Sequence, residues 1–224
     1  MVTIVPAIIP KSFDDLKEKV GLIYTSVDLV QVDMCDGKFV SNKSWPFVED
    51  HGEFRDLVKE KSGLPHWEEI EYEIHLMTDT PSDEVADWVR AGAGGVIVHI
   101  ETGSDALEDI IEEWGHTVQI GIAFKPQTPI SKLTPFLEKV KMIQIMGNDR
   151  IGMQGQKLDS IVYEKIRELR LMAPEHTIAV DIGVNEETAP LLVKAGADKL
   201  IIGSAIMDKD MPGEAIKKFQ KLTE

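Results

Sequence analysis

Short apolar segments alternate with amphipathic segments along the chain. The apolar ones, such as 29–33 and 141–146, are rich in branched residues, which is typical of strands buried on both faces. Each is followed by a stretch with apolar residues at helical spacing, and some of these stretches open with a capping serine or an early proline. The pattern predicts strands at 2–9, 29–33, 71–77, 94–99, 118–123, 141–146, 178–181 and 199–202. The intervening helices are predicted after Ser12, at 53–61, 81–91, 105–114, 130–137, 160–172 and 186–195, and from Pro212 onward.

The number of strand–helix units decides the predicted fold. Eight units within 224 residues match the repeat of a (β/α)8 barrel. An open doubly wound sheet more often has fewer strands, and one that binds a dinucleotide carries a glycine-rich turn after its first strand. Here the first strand leads into Pro6-Ala7-Ile8-Ile9-Pro10, which has no glycine. The sequence therefore predicts one α/β domain, a TIM barrel, spanning residues 1–224.

Charge and composition exclude several classes of protein. The formal net charge is -15 and the chain has no run of lysines or arginines, so the basic surface of a protein that binds nucleic acid or an anionic membrane is missing. The single cysteine, Cys35, excludes an internal disulfide framework. The apolar runs are only of strand length, and the N-terminus does not resemble a signal peptide. We expect no membrane span, no nucleic-acid partner and a cytoplasmic location.

Three predicted strands end in residues that can carry chemistry. Asp33 and Asp181 end the second and seventh strands, and His75 lies near the end of the third. The C-terminal ends of barrel strands meet at one rim, where this fold places its active sites. The aspartates are candidates for two proton-transfer carboxylates, with helix caps or loop acids as the alternative. His75 is either a metal ligand or a substrate-binding electrophile beside them, or a core histidine bonded to a backbone carbonyl.

Glycine-bearing loops follow the last three predicted strands. Barrels commonly bind phosphate at this place, through backbone N–H groups. A single glycine after a strand is usually only a tight turn, but loops on adjacent strands together predict an anion cradle. The candidate residues are Gly152, Gly155, Gln156, Gly183, Gly203 and Ser204.

A series of short motifs runs along nearly the whole chain in a fixed order. They are Pro6-Ala7-Ile8-Ile9 with Ser12-Phe13, Val32-Asp33-Met34-Cys35-Asp36-Gly37-Lys38-Phe39-Val40, Ile74-His75-Leu76-Met77, Val98-His99-Ile100-Glu101, Gly121-Ile122-Ala123-Phe124-Lys125-Pro126-Gln127-Thr128-Pro129, Gly155-Gln156-Lys157, Val180-Asp181-Ile182-Gly183-Val184-Asn185, and Ala195-Gly196-Ala197-Asp198 with Gly203-Ser204-Ala205. This series resembles the ribulose-phosphate 3-epimerase family of the pentose phosphate pathway. The resemblance implies a barrel of the ribulose-phosphate-binding type, an isomerase, a phosphorylated ketose as substrate and a homo-oligomeric assembly.

The resemblance also implies roles for the strand-end residues. The aspartates at the positions of Asp33 and Asp181 exchange the C3 proton on opposite faces of the sugar. A divalent metal such as zinc, iron or manganese, bound by both aspartates and two histidines, stabilises the enediolate between the transfers. His75 matches one of these histidines. The implied metal ligands in this chain are therefore Asp33, His75 and Asp181.

The chain departs from the family at five places around the same site. Gln31 stands where the family has its first metal histidine, and a neutral amide oxygen weakens a zinc- or iron-type site. Ala7 replaces a serine, Cys35 a methionine, and Ile182 a glycine that helps hold the phosphate. Cys35 is interpreted as a buried apolar residue, with a compensating soft ligand as the alternative. The loop 147–155 replaces a proline- and glycine-rich sequence that closes over the substrate.

Two hypotheses about function follow from the sequence. The first is a 3-epimerase that interconverts D-ribulose 5-phosphate and D-xylulose 5-phosphate, or a close analogue, with the metal retained at reduced ligation or replaced by His75 as stabiliser. The second is a non-catalytic sugar-phosphate-binding or regulatory barrel that has lost its metal. Related lyases and decarboxylases carry a lysine in an Asp-x-Lys-x-x-Asp arrangement at the third strand. Residues 73–78 contain no lysine, which disfavours that chemistry.

Overall fold

The computed structural model describes residues 2–48 and 50–224, so the first residue of the predicted domain lies outside the described part. Eight parallel strands form a closed barrel in chain order, and the eighth strand pairs back onto the first with Val5 opposite Ile201. Every predicted strand is present and the TIM barrel is confirmed. The strands are β1 Thr3–Ile8, β2 Leu29–Cys35, β3 Glu71–Met77, β4 Gly95–His99, β5 Gln119–Phe124, β6 Met142–Met146, β7 Thr177–Asp181 and β8 Lys199–Ile202.

Helices surround the barrel and follow most of the strands. Ser12 caps the first helix by accepting a hydrogen bond from the backbone N–H of Asp15 at 3.1 Å, and Pro81 opens the third. The helices are α1 Phe13–Gly21, α2 Glu53–Val58, α3 Pro81–Arg90, α4 Ser104–Trp114, α5 Ile161–Met172, α6 Ala189–Ala195, α7 Ser204–Met207 and α8 Pro212–Leu222, with 3-10 segments at Ile100–Thr102 and Ile130–Phe136.

Several helical elements differ from the sequence-based prediction, and the helix predicted at 130–137 is a 3-10 segment, Ile130–Phe136, with Pro135 inside it. The helix predicted from residue 186 begins at Ala189, because the Asn185 side chain accepts hydrogen bonds from the backbone N–H groups of Glu187 and Thr188 and holds a turn. Helix α2 ends at Val58, since Glu60 adopts a φ of 56° that cannot continue a right-handed helix. Helix α7 was not predicted, because four residues are too few to show a periodic pattern.

The two largest apolar clusters hold the fold together. The larger one lies between the barrel and the helices and includes Trp45 and Trp88, which make an edge-to-face contact. The smaller one lies inside the barrel and contains Cys35, Met77 and Met146. Within the described ranges, no helix combines the length and the apolar character needed to cross a bilayer.

Candidate functional site

The barrel brings Asp33, His75 and Asp181 into one cluster. Asp33 and His75 are opposite each other in the β2–β3 register, and Asp33 Oδ1 lies 3.1 Å from His75 Nδ1. The same ring nitrogen is 3.5 Å from Asp181 Oδ2 at the end of β7. All three residues are buried, and one ligand atom from each lies within 4.8 Å of the others. Two carboxylates and an imidazole at this spacing could hold a divalent metal ion.

A cavity of about 440 Å³ opens at the C-terminal ends of the strands. The carboxylates of Asp33 and Asp181 form part of its wall. His75 is not among the lining residues and is completely buried, so its position fits a metal ligand better than a direct substrate contact. The residues predicted to cradle a phosphate all line this cavity: Gly152, Gly155, Gln156, Gly183, Gly203 and Ser204.

The loop after β7 needs its glycine for space as well as for backbone geometry. Gly183 has a φ of +76°, and a Cβ atom there would lie 2.5 Å from the backbone nitrogen of Leu158. Ile182, where the family resemblance implied glycine, has a φ of 77°. This conformation is rare for a β-branched residue and stores strain. Lys157 and Lys209 also line the cavity, although no pattern in the sequence predicts a ligand-binding role for them.

Two glutamine side chains complete the floor of the site. Gln31 Nε2 donates to Asp33 Oδ1 at 2.8 Å and to Asp181 Oδ2 at 3.3 Å, and lies 3.4 Å from His75 Nδ1. Gln144, from the middle of β6, places its Nε2 at 3.4 Å from Asp181 Oδ2. Both amide oxygens are buried and find no hydrogen-bond partner among residues 2–48 and 50–224. A polar Gln144 within the otherwise apolar segment 142–146 was the available sequence signal, and it was missed.

Behind His75 lies a second histidine with its own carboxylate. His75 Nε2 is 2.9 Å from His99 Nε2, and His99 Nδ1 is 3.0 Å from Glu101 Oε2. The other carboxylate oxygen, Glu101 Oε1, accepts hydrogen bonds from the backbone N–H of Lys125 at 2.9 Å and from the hydroxyl of Thr128. The motif Val98-His99-Ile100-Glu101 contains both residues, but the sequence alone predicts no role for either of them.

Burial and neighbouring charges shift the pKa values of these groups. Burial and the charge of Asp33 raise the pKa of Asp181 to about 7. Burial lowers the pKa of His99 to about 4. Burial opposes ionisation of Glu101, but the hydrogen bonds from His99, Lys125 and Thr128 outweigh it and lower the pKa of Glu101 to about 2. Burial raises the pKa of Cys35 well above its usual value, which agrees with its place in the apolar cluster inside the barrel.

The side chains of Asp33, His75 and Asp181 can hold the divalent metal that the family resemblance implies. The three ligand atoms lie close together, and the Gln31 amide nitrogen is within 3.4 Å of each of them. The oxygen of the same amide is buried and has no hydrogen-bond partner in the described part of the chain. A half-turn of that amide would exchange its nitrogen and oxygen and direct the oxygen at the same point. Asp33, His75 and Asp181 therefore suffice for a site with an open position, and Gln31 can add a neutral oxygen.

Comparison with known proteins identifies the family. The model of the Ribulose-phosphate 3 epimerase family matches residues 3–207. The chain belongs to this family. It is 32% identical over 227 residues to the ribulose-phosphate 3-epimerase of Methanocaldococcus jannaschii, covering 99% of this chain and 91% of that protein. It is 29% identical over 229 residues to the Bacillus subtilis ribulose-phosphate 3-epimerase, covering 98% of this chain and 99% of that protein.

Solved structures show that the fold extends beyond the epimerase family. A 3-keto-L-gulonate-6-phosphate decarboxylase from Vibrio cholerae aligns with a TM-score of 0.74 at 11% identity, covering 100% of this chain and 99% of that one. A 3-hexulose-6-phosphate synthase from Salmonella typhimurium aligns with a TM-score of 0.71 at 17% identity, covering 99% and 98%. At these identities the likeness concerns the barrel alone.

Proposed function

We propose that the protein is a sugar-phosphate 3-epimerase that interconverts D-ribulose 5-phosphate and D-xylulose 5-phosphate. Membership in the family supports the reaction. The observation that carries the proposal is the convergence of Asp33 and Asp181. Their carboxylates come from strands 148 positions apart in the sequence, yet both lie within 3.5 Å of His75 Nδ1 and both face the cavity.

The two carboxylates can act as an acid–base pair. One ionised carboxylate removes the C3 proton of the ketose, and the other, carrying a proton, returns one to the opposite face. Because burial and the charge of Asp33 raise the pKa of Asp181 to about 7, the pair holds a proton close to neutral pH. We assign Asp33 and Asp181 as the catalytic residues, which exchange roles when the reaction runs backward.

The metal would be held by Asp33, His75 and Asp181, with Gln31 adjacent. When bound, a divalent ion supplies positive charge that stabilises the enediolate oxygens of the substrate. The chain itself supplies the geometry: β2, β3 and β7 fix the ligands, and the apolar residues Met77 and Met146 border the site and limit the access of water.

The glycine-lined part of the cavity is the proposed phosphate site. Backbone N–H groups around Gly183 and Gly203 can approach an anion closely, and Ser204 adds a hydroxyl. Lys157 and Lys209 provide positive charge in a chain whose net charge of -15 repels an anion at long range. Gly152, Gly155 and Gln156 belong to the loop at the mouth of the same cavity.

Proton exchange at C3 tests this function. Wild-type protein incubated with ribulose 5-phosphate in deuterated water should incorporate deuterium at C3, measured by NMR or mass spectrometry. Asp33→Asn and Asp181→Asn should each slow exchange by about 10²- to 10⁴-fold, the usual contribution of a general acid or base. Asp109→Asn, an exposed carboxylate on α4, should exchange at the wild-type rate. No exchange by the metal-loaded wild type would contradict the proposal and leave a sugar-phosphate-binding role.

We also propose a single-domain, cytoplasmic protein that forms a homo-oligomer. One closed barrel with its helices occupies residues 3–222, which supports a single domain. The cytoplasmic location and the homo-oligomer rest on membership in the family. Light scattering coupled to size-exclusion chromatography would test the oligomer, and a monomeric mass would contradict it.

A further inference from the structure

Four polar groups form a continuous hydrogen-bonded chain that leads to the metal-ligand cluster. The chain starts at the backbone N–H of Lys125, passes through the Glu101 carboxylate and the His99 ring, and ends at His75. We refer to its three side chains as the Glu101–His99–His75 relay. The last atom of the relay, His75 Nδ1, is the one that faces Asp33 and Asp181.

The ionised carboxylate of Glu101 determines where each proton of the relay lies. Glu101 Oε1 already accepts a backbone N–H and a hydroxyl, and an ionised carboxylate can only accept hydrogen bonds. His99 Nδ1, 3.0 Å from the other oxygen, must therefore donate. A neutral imidazole carries one N–H, so His99 Nε2 is left as an acceptor. The proton between the two rings then belongs to His75 Nε2.

This arrangement leaves a lone pair on His75 Nδ1 when the ring is neutral. That lone pair is directed at two carboxylate oxygens, at 3.1 Å from Asp33 and 3.5 Å from Asp181. Three electron-rich atoms facing one another repel unless a proton, a hydrogen-bond donor such as the Gln31 amide nitrogen, or a metal ion lies among them. A relay anchored at Glu101 therefore presents His75 as a ligand for a cation.

We propose that Glu101 and His99 are positioning residues that fix the tautomer of His75, with Nε2 protonated and the Nδ1 lone pair directed at Asp33 and Asp181, so that His75 is set to bind a divalent metal. This inference rests on the metal site of the proposed function. It concerns the ring protons of the chain itself, which can be observed without turnover. Glu101 contributes at a distance, because its carboxylate touches neither the cluster nor the cavity wall.

Nitrogen NMR of the wild-type protein tests the relay directly. In chelator-treated protein with 15N-labelled histidine, one-bond and two-bond couplings should show His99 protonated on Nδ1 and bare on Nε2, with His75 protonated on Nε2. Loading with diamagnetic Zn²⁺ should leave His75 protonated on Nε2 only. A His99 ring that carries its proton on Nε2 in either state would overturn the proposal.

The substitution Glu101→Gln tests the consequence for metal binding. The Lys125 N–H is a fixed donor, so it holds the amide oxygen and turns the new NH2 group toward His99 Nδ1. His99 Nδ1 must then accept a hydrogen bond, so the proton of the His99 ring lies on Nε2 and is donated to His75 Nε2. His75 therefore carries its own proton on Nδ1, the atom that would bind the metal. We expect the dissociation constant for Zn²⁺, measured by competition with a chelator, to rise by about 10- to 100-fold.

Thr128→Val is the matched control for this substitution. It removes the hydroxyl that contacts the other oxygen of Glu101 but does not alter the group that faces His99. Its metal affinity and ring protonation should equal those of the wild type. A folded Glu101→Gln protein with wild-type metal affinity would refute the relay. If that variant does not fold, the positions of the ring protons in the wild-type protein decide whether the proposal holds. Inactivity toward ribulose 5-phosphate would contradict only the proposed reaction.

Discussion

The amide nitrogen of Gln31 bridges the two carboxylates of the site, at 2.8 Å from Asp33 Oδ1 and 3.3 Å from Asp181 Oδ2. Glutamine thus satisfies two buried acids in the metal-free protein, which a histidine presenting a bare nitrogen could not do. The amide oxygen of Gln31 is then buried without a hydrogen-bond partner in the described residues, which destabilises the folded protein by about 1–3 kcal/mol. Coordination of a metal by that oxygen would remove this cost.

Gln31→His should strengthen zinc binding. An imidazole nitrogen is a better ligand for Zn²⁺ than a neutral amide oxygen, so the dissociation constant should fall by about tenfold or more. Competition with a chromogenic chelator measures the change. Gln144→Leu is the control, because Gln144 lies near the same atoms at 3.4–3.5 Å without belonging to the ligand set, and should bind zinc like the wild type. Equal affinities for Gln31→His and the wild type would show that position 31 does not coordinate.

The pKa of Asp181 predicts how stability depends on pH in chelator-treated protein. Burial and the charge of Asp33 raise this pKa to about 7, whereas an aspartate in the unfolded chain has a pKa of about 4. Between these values the folded state binds more protons than the unfolded state. The free energy of unfolding should therefore fall as pH rises from about 4 to about 7, by up to about 4 kcal/mol from this group.

Urea unfolding across this pH range measures the effect. Asp181→Asn cannot titrate, so the difference in free energy of unfolding between wild type and variant should change in favour of the variant as pH rises. Asp109→Asn, at an exposed position of α4, should follow the wild-type curve. Parallel curves for the wild type and Asp181→Asn would refute a raised pKa at this residue.

The sequence predicted the strands and the Asp33–His75–Asp181 cluster because these depend on composition and on strand ends. A run of branched apolar residues marks a barrel strand, and the ends of parallel strands must meet at one rim. Gln144 was missed because one polar residue in an otherwise apolar strand does not show, without the barrel register, whether it points inward. The Glu101–His99–His75 relay was missed because it needs the β3–β4 register, which sets His75 opposite Ile97 and so brings His99 near it.

Replacement of Ile182 by glycine should change the free energy of unfolding only a little. Its φ of 77° strains a β-branched residue by about 1–3 kcal/mol, and glycine adopts this conformation freely. Relief of that strain should offset the lost packing, so Ile182→Gly should keep the free energy of unfolding within about 1 kcal/mol of the wild type. Leu158→Gly, a half-buried residue beside the same loop with negative φ, should lose about 2–5 kcal/mol. Similar losses for both variants in urea unfolding would argue against stored strain.

The ion pair between Glu73 and Lys199 lies buried inside the barrel, at the N-terminal end of β8. Lys199 Nζ is 2.8 Å and 2.7 Å from the two carboxylate oxygens of Glu73, and the two residues are 6% and 2% exposed. Removal of one partner leaves the other charge buried and uncompensated. Lys199→Met should therefore lower the free energy of unfolding by about 3–5 kcal/mol, measured in urea at pH 7.

Removal of both charges should restore most of that loss. In Glu73→Leu/Lys199→Met, apolar side chains of similar size replace the pair, and the desolvation of two ions is no longer required, so stability should return to the wild-type value or exceed it by about 1–4 kcal/mol. Lys217→Met breaks the exposed pair with Glu214 on α8 and should change stability by less than about 1 kcal/mol. A double variant that is as unstable as Lys199→Met would mean that the barrel interior depends on the ion pair itself rather than on charge balance.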